Sequence, residues 1–143
     1  MIYTNLTRMA MRLCFEKHKE QLDRSGVPYV FHPYHVAESM TDEYTTCVAL
    51  LHDIVEDTNT TLEDLEKMGF PKEIVDAVDC MTHREGVDYF DYIAVVKSNP
   101  IATKVKISDL IHNSDLTRNE TVTEHDLERN RKYSKALQIL SKH

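Results

Sequence analysis

The sequence of 143 residues has few residues that break regular structure, with three Gly and four Pro, and it contains no Trp. With 41% hydrophobic and 29% charged residues beside so little Gly and Pro, disordered and low-complexity chains are excluded. No apolar run is long enough to span a bilayer, and residues 1–8 do not resemble a signal peptide. We therefore expect one cytoplasmic domain over residues 1–143, with no membrane partner.

Positive charge is also scarce, since 17 Lys and Arg stand against 24 Asp and Glu for a formal net charge of −7. An acidic chain of this kind argues against nucleic acid as a partner. The unusual count is that of histidine, with eight residues.

Cysteine is limited to Cys14, Cys47 and Cys80, an odd number without a Cys-x-x-Cys pair. A disulfide framework and a thiolate zinc site are therefore not indicated. The equal spacing of 33 residues resembles the period of ankyrin and tetratricopeptide repeats, but the flanking residues do not match one another. We expect all three to be small buried apolar residues.

Apolar residues recur at helical spacing along most of the chain, and neither alternating runs nor Asn-Gly or Asp-Gly turns predict a hairpin. The expected fold class is all-α, a single-domain bundle of about eight helices. The first helix is predicted within residues 3–22, and Pro33 suits the first position of the second. Helix caps are predicted at three polar residues: Thr61, Asn99 and Thr123.

The helix that follows Asn99 carries apolar residues on several sides, among them Val105 and Ile111. This pattern predicts a central helix that is covered nearly all round.

His52 and Asp53 end an apolar helix and are followed by Glu56 and Asp57. If helical geometry persists through Asp57, all four side chains can point toward one region. Three carboxylates so close together repel one another unless a cation or a proton lies among them, and a divalent metal is the simplest answer. The alternative is a buried hydrogen-bonded pair of His52 with Asp53, with the other two acids solvated.

Two further residues occupy positions that are costly without partners. His32 lies immediately before Pro33, and Asp109 interrupts the most apolar helix. A plain ion pair of Lys106 with Asp109 is the alternative that we favour less, because a partly buried pair is a weak source of stability.

Two imidazoles and two carboxylates form a mixed nitrogen and oxygen set, provided by His32, His52, Asp53 and Asp109. Such a set suits Mn²⁺, or another divalent ion such as Fe²⁺, Co²⁺ or Ni²⁺, better than a thiolate-type structural zinc site does. A bound ion acidifies water and offsets phosphate charge. Glu56 and Asp57 are then candidates to orient that water and to move protons.

Three blocks occur in order along the chain: Arg24-Ser25-Gly26-x-Pro28-Tyr29 leading to His32-Pro33, His52-Asp53-x-x-Glu56-Asp57-Thr58, and Lys106-x-x-Asp109-x-x-His112-Asn113. A His-Asp dipeptide alone says little, but this combination is specific. With it the sequence resembles the HD-superfamily metal phosphohydrolases and, more narrowly, the hydrolase domain of the RelA/SpoT family.

The resemblance implies an HD-type helical bundle that removes the 3′-pyrophosphate of guanosine tetra- and pentaphosphate alarmones, with manganese as the usual metal. The products would be pyrophosphate and GDP or GTP. Since 143 residues leave no room for synthetase and regulatory domains, the chain resembles a stand-alone small alarmone hydrolase. The implied roles are metal ligation by His32, His52, Asp53 and Asp109, catalysis by Glu56 and Asp57, and substrate binding by Arg24, Ser25 and Asn113.

The sequence departs from the family pattern at two places. Asp23 stands where a cation is common, and Ser114-Asp115-Leu116 replaces a common Met-Arg-Thr. Two alternatives to alarmone hydrolysis therefore stay open. One is hydrolysis of another small nucleotide, such as a nucleoside monophosphate or an NADPH-like dinucleotide, and the other is a module that binds a nucleotide without turnover. Homo-oligomerisation is also left open.

The remaining candidates have ordinary structural interpretations. Tyr89 and Tyr92 fit an apolar helical stripe and are expected in the core. Five histidines are expected at the surface or as caps rather than as ligands: His18, His35, His83, His125 and His143.

Overall fold

In a computed structural model that describes residues 1–142, the chain is folded into nine α-helices and one short 3-10 helix, with no β-strand among those residues. The all-α class is confirmed, and His143 lies outside the described residues. No helix within residues 1–142 has the length and apolar character to span a membrane. The elements are α1 Asn5–His18, α2 Phe31–Glu38, α3 Glu43–Leu51, α4 Ile54–Asp57, α5 Leu62–Lys67, α6 Lys72–Met81, α7 Tyr89–Lys97, α8 Pro100–Asn113, the 3-10 helix Leu116–Arg118, and α9 Glu124–Ser141.

The predicted caps are all present. Thr61 and Thr123 each accept the backbone N–H three residues ahead and complete a capping box with an Asp at that position. Asn99 accepts the N–H of Ala102, and Pro100 occupies the first position of α8. The prediction for Pro33 is wrong by two positions, because α2 begins at Phe31. The first turn still tolerates Pro33, since the N–H that it lacks would have no helical partner there.

The first helix is shorter than residues 3–22, because the chain turns after His18 into a loop that is closed by its own hydrogen bonds. The N–H of Asp23 donates to the carbonyl of Val27 at 2.8 Å, and the N–H of Tyr29 donates to the carbonyl of Gln21 at 2.8 Å. Gly26 has a φ of +80°, a conformation that favours glycine. This closure fixes the loop ahead of α2.

The central helix is α3 rather than α8. All residues of α3 from Thr45 to Leu51 are buried, and the helix packs against α1, α2, α6 and α8. Val105 of α8 is buried, but Ile111 is 59% exposed. The prediction that α8 is covered nearly all round is therefore wrong: α2, α3, α6, α7 and α9 contact it, and the remaining strip with Ile111 faces solvent.

The expectation for cysteine is confirmed for Cys14 and Cys47, which are buried, whereas Cys80 is partly exposed. Burial raises the pKa of the Cys14 and Cys47 thiols to about 12, so both stay protonated at neutral pH. Neither is placed to ligate a metal as a thiolate.

Two isoleucines make a matched test of this packing. Ile93 in α7 is fully buried, and its replacement by Ala leaves a cavity, so I93A is expected to lower the free energy of unfolding by about 2–5 kcal/mol. I111A on the exposed strip is expected to change it by less than about 1 kcal/mol. Urea denaturation measures both values, and equal losses would contradict the placement of α8.

Candidate metal centre and adjoining cavity

The site begins where the most buried helix ends. His52 and Asp53 form a turn between α3 and α4, and helical hydrogen bonding resumes with the N–H of Asp57 donating to the carbonyl of Asp53 at 3.0 Å. The assumption that one helix persists through Asp57 is therefore wrong at this turn. The break lets His52 stay buried in the bundle while Glu56 and Asp57 follow on a separate short helix.

His52 presents one ring nitrogen to the site. Its Nδ1 donates to the carbonyl of Ala49 at 2.6 Å, which leaves Nε2 buried without a hydrogen-bond partner. Nε2 lies 3.1 Å from Oδ2 of Asp53 and 3.3 Å from Oδ1 of Asp109. Burial lowers the pKa of His52, but the two carboxylates outweigh it and raise the pKa above its usual value. A positive charge is thus stabilised at this point.

Asp109, which lies in α8, is close to both His32 and His52. Its Oδ1 lies 2.8 Å from Nε2 of His32 and accepts a hydrogen bond from Nδ2 of Asn113 at 3.1 Å. Its Oδ2 accepts from Nζ of Lys106 at 2.9 Å. The ion pair that we favoured less from the sequence is therefore present together with the histidine contacts. Although burial opposes it, the cationic neighbours, Lys106 first, hold the pKa of Asp109 well below its usual value.

The side chains of His32, His52 and Asp109 offer ligand atoms that all lie within 4.8 Å of one another, and all three are buried. The unpartnered Nε2 of His52 and the mixed nitrogen and oxygen donors fit a divalent metal ion. These three residues form a candidate site for such an ion.

Asp53 adjoins this group. Its Oδ2 lies 4.0 Å from Nε2 of His32 and accepts a hydrogen bond from the hydroxyl of Tyr29. Burial and the nearby Asp53 carboxylate raise the pKa of Tyr29, which keeps the hydroxyl a donor. The role of Tyr29 was missed from the sequence, although the residue belongs to the Pro28-Tyr29 block.

Glu56 is held from the loop between α6 and α7, where the backbone N–H of His83 donates to its carboxylate. Although its side chain is exposed, partial desolvation by the surrounding site, assisted by the charge of Asp53, raises the pKa of Glu56 against the effect of this bond. Partial desolvation and the charge of Asp53 likewise raise the pKa of the exposed Asp57. Both acids therefore hold a proton more readily than ordinary carboxylates do.

A cavity of about 460 Å³ opens beside the candidate metal centre, with Asp53, Glu56, Lys106 and Asp109 on its wall. Asp57 is not among the lining residues in the part of the chain that the structure describes. The three predicted substrate-binding residues all line the cavity, together with two further arginines: Arg24, Ser25, Asn113, Arg118 and Arg129.

Each predicted substrate-binding side chain is held by neighbours. Arg24 forms an ion pair with the buried Asp126 at the start of α9. The Ser25 hydroxyl donates to the carbonyl of Arg118 at 3.2 Å. Oδ1 of Asn113 accepts from the Arg118 guanidinium at 3.3 Å. The loop ahead of α2 and the segment after α8 thus form one continuous wall.

Asp23, which departs from the family pattern, serves the loop itself. Its carboxylate accepts the backbone N–H groups of Ser25 at 2.9 Å and Val27 at 3.0 Å. These bonds form a side-chain-stabilised turn that fixes the position of Ser25.

The prediction that the other histidines lie at the surface or cap helices is only partly confirmed. His35 and His125 are exposed as expected, and His83 is partly buried and stacks on Tyr92 at 4.6 Å between ring centroids. The prediction for His18 is wrong: it is fully buried at the end of α1, where the centroid of its ring lies 5.2 Å from that of Tyr29. The prediction for His143 falls outside the described residues.

Tyr92 is buried and donates its hydroxyl to the carbonyl of Met81 at 2.6 Å, which confirms its place in the core. Tyr89 is partly buried and packs against that core.

His112 was not singled out from the sequence, although it lies in the third block. Its Nδ1 is 2.7 Å from Nδ1 of His32. Burial, assisted by the charge of Arg118, lowers the pKa of His112 to about 4, so the ring is neutral at pH 7.

The curated proteins that are similar in sequence to this chain include three from different organisms. The chain is 34% identical over 122 residues to the probable GTP pyrophosphokinase of Mycobacterium leprae, an alignment that covers 76% of this chain and 15% of that protein. It is 32% identical over 110 residues to the guanosine-3′,5′-bis(diphosphate) 3′-pyrophosphohydrolase of Aquifex aeolicus, covering 68% and 16%. It is 34% identical over 88 residues to the bifunctional (p)ppGpp synthase/hydrolase SpoT of Escherichia coli, covering 59% and 12%. The chain spans less than a fifth of the length of each.

A solved structure of a metazoan ortholog of SpoT, described as hydrolysing ppGpp and as playing a role in starvation responses, has the same fold. It matches with a TM-score of 0.76 and 24% identity, covering 98% of this chain and 87% of that chain. A family model described as HD domain matches residues 10–113. That range contains all four predicted metal ligands and most of the chain, and the protein belongs to the HD domain family.

Proposed function

We propose that this protein is a metal-dependent hydrolase that removes the 3′-pyrophosphate of guanosine tetra- and pentaphosphate, giving GDP or GTP and pyrophosphate. The observation that carries the proposal is the buried cluster of His32, His52 and Asp109, because Asp109 also lines a cavity that is lined by arginines. The curated relatives include a protein named as the corresponding pyrophosphohydrolase, and this likeness supports the choice of substrate.

The proposed metal is Mn²⁺, with Fe²⁺, Co²⁺ and Ni²⁺ as alternatives of similar coordination chemistry. The proposed ligands are Nε2 of His32, Nε2 of His52 and one carboxylate oxygen each of Asp53 and Asp109. Such an ion, when bound, acidifies water and offsets phosphate charge. In this arrangement Lys106 fixes the second oxygen of Asp109, and Tyr29 orients Asp53.

Glu56 and Asp57 are proposed to orient the attacking water and to move protons. Glu56 lines the cavity beside Asp53, and its hydrogen bond from His83 fixes the carboxylate. A raised pKa suits proton transfer near neutral pH. Because Asp57 does not line the cavity, we assign it the supporting part of this pair.

Arg24, Ser25 and Asn113 are proposed to hold the nucleotide in the same cavity. Arg24, Arg118 and Arg129 supply positive charge on the wall formed by the loop ahead of α2, the segment after α8 and the start of α9. An anionic, small-molecule nucleotide suits this wall because guanidinium groups pair with phosphate oxygens in bidentate fashion.

Metal binding has a direct test in thermal unfolding. Added Mn²⁺ is expected to stabilise the protein by about 2.7 kcal/mol when free metal is a hundred times its dissociation constant, and a chelator should reverse the effect. H52Q removes one proposed ligand and should abolish this stabilisation by Mn²⁺. H125Q, at an exposed position in α9, should retain it. An equal increment in H52Q and the wild type would contradict the site.

The activity is tested by pyrophosphate release from guanosine tetraphosphate in the presence of Mn²⁺. E56Q is expected to lower kcat by a factor of about 10²–10⁴, because it removes a group that transfers protons. E63Q, which changes an exposed Glu in α5, serves as the matched control and should retain wild-type turnover. Wild-type release that does not exceed that of D53A would contradict the proposal.

A panel of nucleotides separates the alternatives. Phosphate release confined to a nucleoside monophosphate or to NADPH would replace the substrate but keep the metal chemistry. Calorimetric binding of the alarmone without product formation under any divalent metal would instead identify a binding module.

The proposed role of Arg24 on the cavity wall has a test of its own. R24A is expected to raise KM about 10–100-fold with a smaller effect on kcat, because a charge-assisted hydrogen bond to substrate contributes about 1.5–3 kcal/mol. K97A, which removes an exposed cation at the end of α7, should leave both constants unchanged. A loss confined to kcat would contradict a substrate-binding role for Arg24.

A further inference from the structure

His112 contacts His32 through an in-plane hydrogen bond. The two Nδ1 atoms lie 2.7 Å apart, the ring planes are inclined by 3°, and the ring centroids are 5.0 Å apart. Two parallel rings stacked face to face would keep their atoms roughly 3.5 Å apart or more. The nitrogen contact is shorter than that and lies within the range of hydrogen bonds, so the two rings meet edge to edge.

Both nitrogens of the His32 ring are thereby contacted from α8. Asp109 lies 2.8 Å from Nε2, and His112, three residues later on the same face of the helix, lies 2.7 Å from Nδ1. The ring of His32, which belongs to α2, is therefore held at both ends by side chains of one helix.

We propose that His112 is a positioning residue for the metal centre, which accepts the Nδ1–H of His32 and so directs Nε2 of His32 toward Asp109 and the ion. This inference rests on the proposed function, since it needs an ion at Nε2. Two bare nitrogens at this distance would repel, so one proton lies between them. A histidine that binds a metal through Nε2 carries its proton on Nδ1, and its hydrogen-bond acceptor fixes that tautomer.

His112 is itself held in place. Its backbone carbonyl accepts from the Arg118 guanidinium at 3.0 Å, and its ring stacks on that of His35 with the centroids 4.0 Å apart. With Nδ1 accepting from His32, the proton of the neutral His112 ring resides on Nε2. Contacts therefore link the segment after α8 to His112, and His112 to His32.

Two substitutions at position 112 separate this role from packing. H112N keeps a hydrogen-bond acceptor close to the place of Nδ1, whereas H112L removes every acceptor and leaves the buried Nδ1–H of His32 without a partner. H125L is the matched control, because it removes an exposed imidazole in α9, outside the cluster.

Binding of Mn²⁺ to each metal-free protein is measured by isothermal titration calorimetry, with circular dichroism as the check on folding. H112L is expected to bind about 10–100-fold more weakly than the wild type, the usual loss on removing such a partner of a metal ligand. H112N should recover most of the affinity, and H125L should bind like the wild type. Equal affinity of H112L and the wild type, or equal losses in H112L and H112N, would overturn the inference.

A spectroscopic signature tests the hydrogen bond without reference to activity. In ¹⁵N-labelled metal-free protein, a coupling between the two Nδ1 nuclei across the hydrogen bond is expected, and it should vanish in H112L. In protein loaded with diamagnetic Zn²⁺, the proton should be on Nδ1 of His32. Absence of the coupling, or a Zn²⁺-loaded His32 protonated on Nε2, would overturn the inference.

These measurements also distinguish a failure of the proposed function from a failure of the proposed role of His112. A wild-type protein that binds neither Mn²⁺ nor Zn²⁺ contradicts the proposed function and, with it, the role of His112. A wild type that binds metal as tightly as H112L contradicts the role of His112 alone.

Discussion

The burial of the Asp109 carboxylate is the constraint on which the arrangement of this bundle depends. A charged group inside a helical core is costly unless cations and hydrogen-bond donors surround it. Its partners come from three elements: His32 from α2, His52 from the turn after α3, and Lys106 with Asn113 from α8 itself. Docking these helices and assembling the candidate metal centre are therefore one event, and a bound cation would stabilise the fold as well as the site.

Several features of the fold could be predicted from the sequence because the residues that specify them are close together in the chain. Thr61, Asn99 and Thr123 cap helices through bonds within three residues, and their signals are short motifs. The placement of His32 and Asp109 at positions that are costly without partners indicated that they meet. Their prediction as metal ligands also used the order of all three blocks along the chain.

Two predictions failed locally, the helix start at Pro33 and the continuous helix through Asp57, whereas others failed because they depend on contacts between elements that are distant in the chain. His18 resembles any polar residue at the end of an amphipathic helix, and its burial depends on packing against other parts of the chain, among them Tyr29. The exposure of Ile111 depends on which neighbours cover α8, which periodicity alone does not specify. The contact of His112 with His32, for which no prediction was made, likewise depends on the packing of α8 against α2.

The same geometry explains how a chain with a net charge of −7 can present a site suited to an anion. The carboxylates of the cluster contact His32, His52, Lys106 and Tyr29, so part of their charge is offset within the protein. On the facing wall, Asp126 holds the guanidinium of Arg24, and Asp23 is engaged by backbone N–H groups. Most acidic side chains at the cavity therefore already have hydrogen-bond or ion-pair partners within the protein. Because the field at short range outweighs the total charge, the cations decide what this cavity attracts.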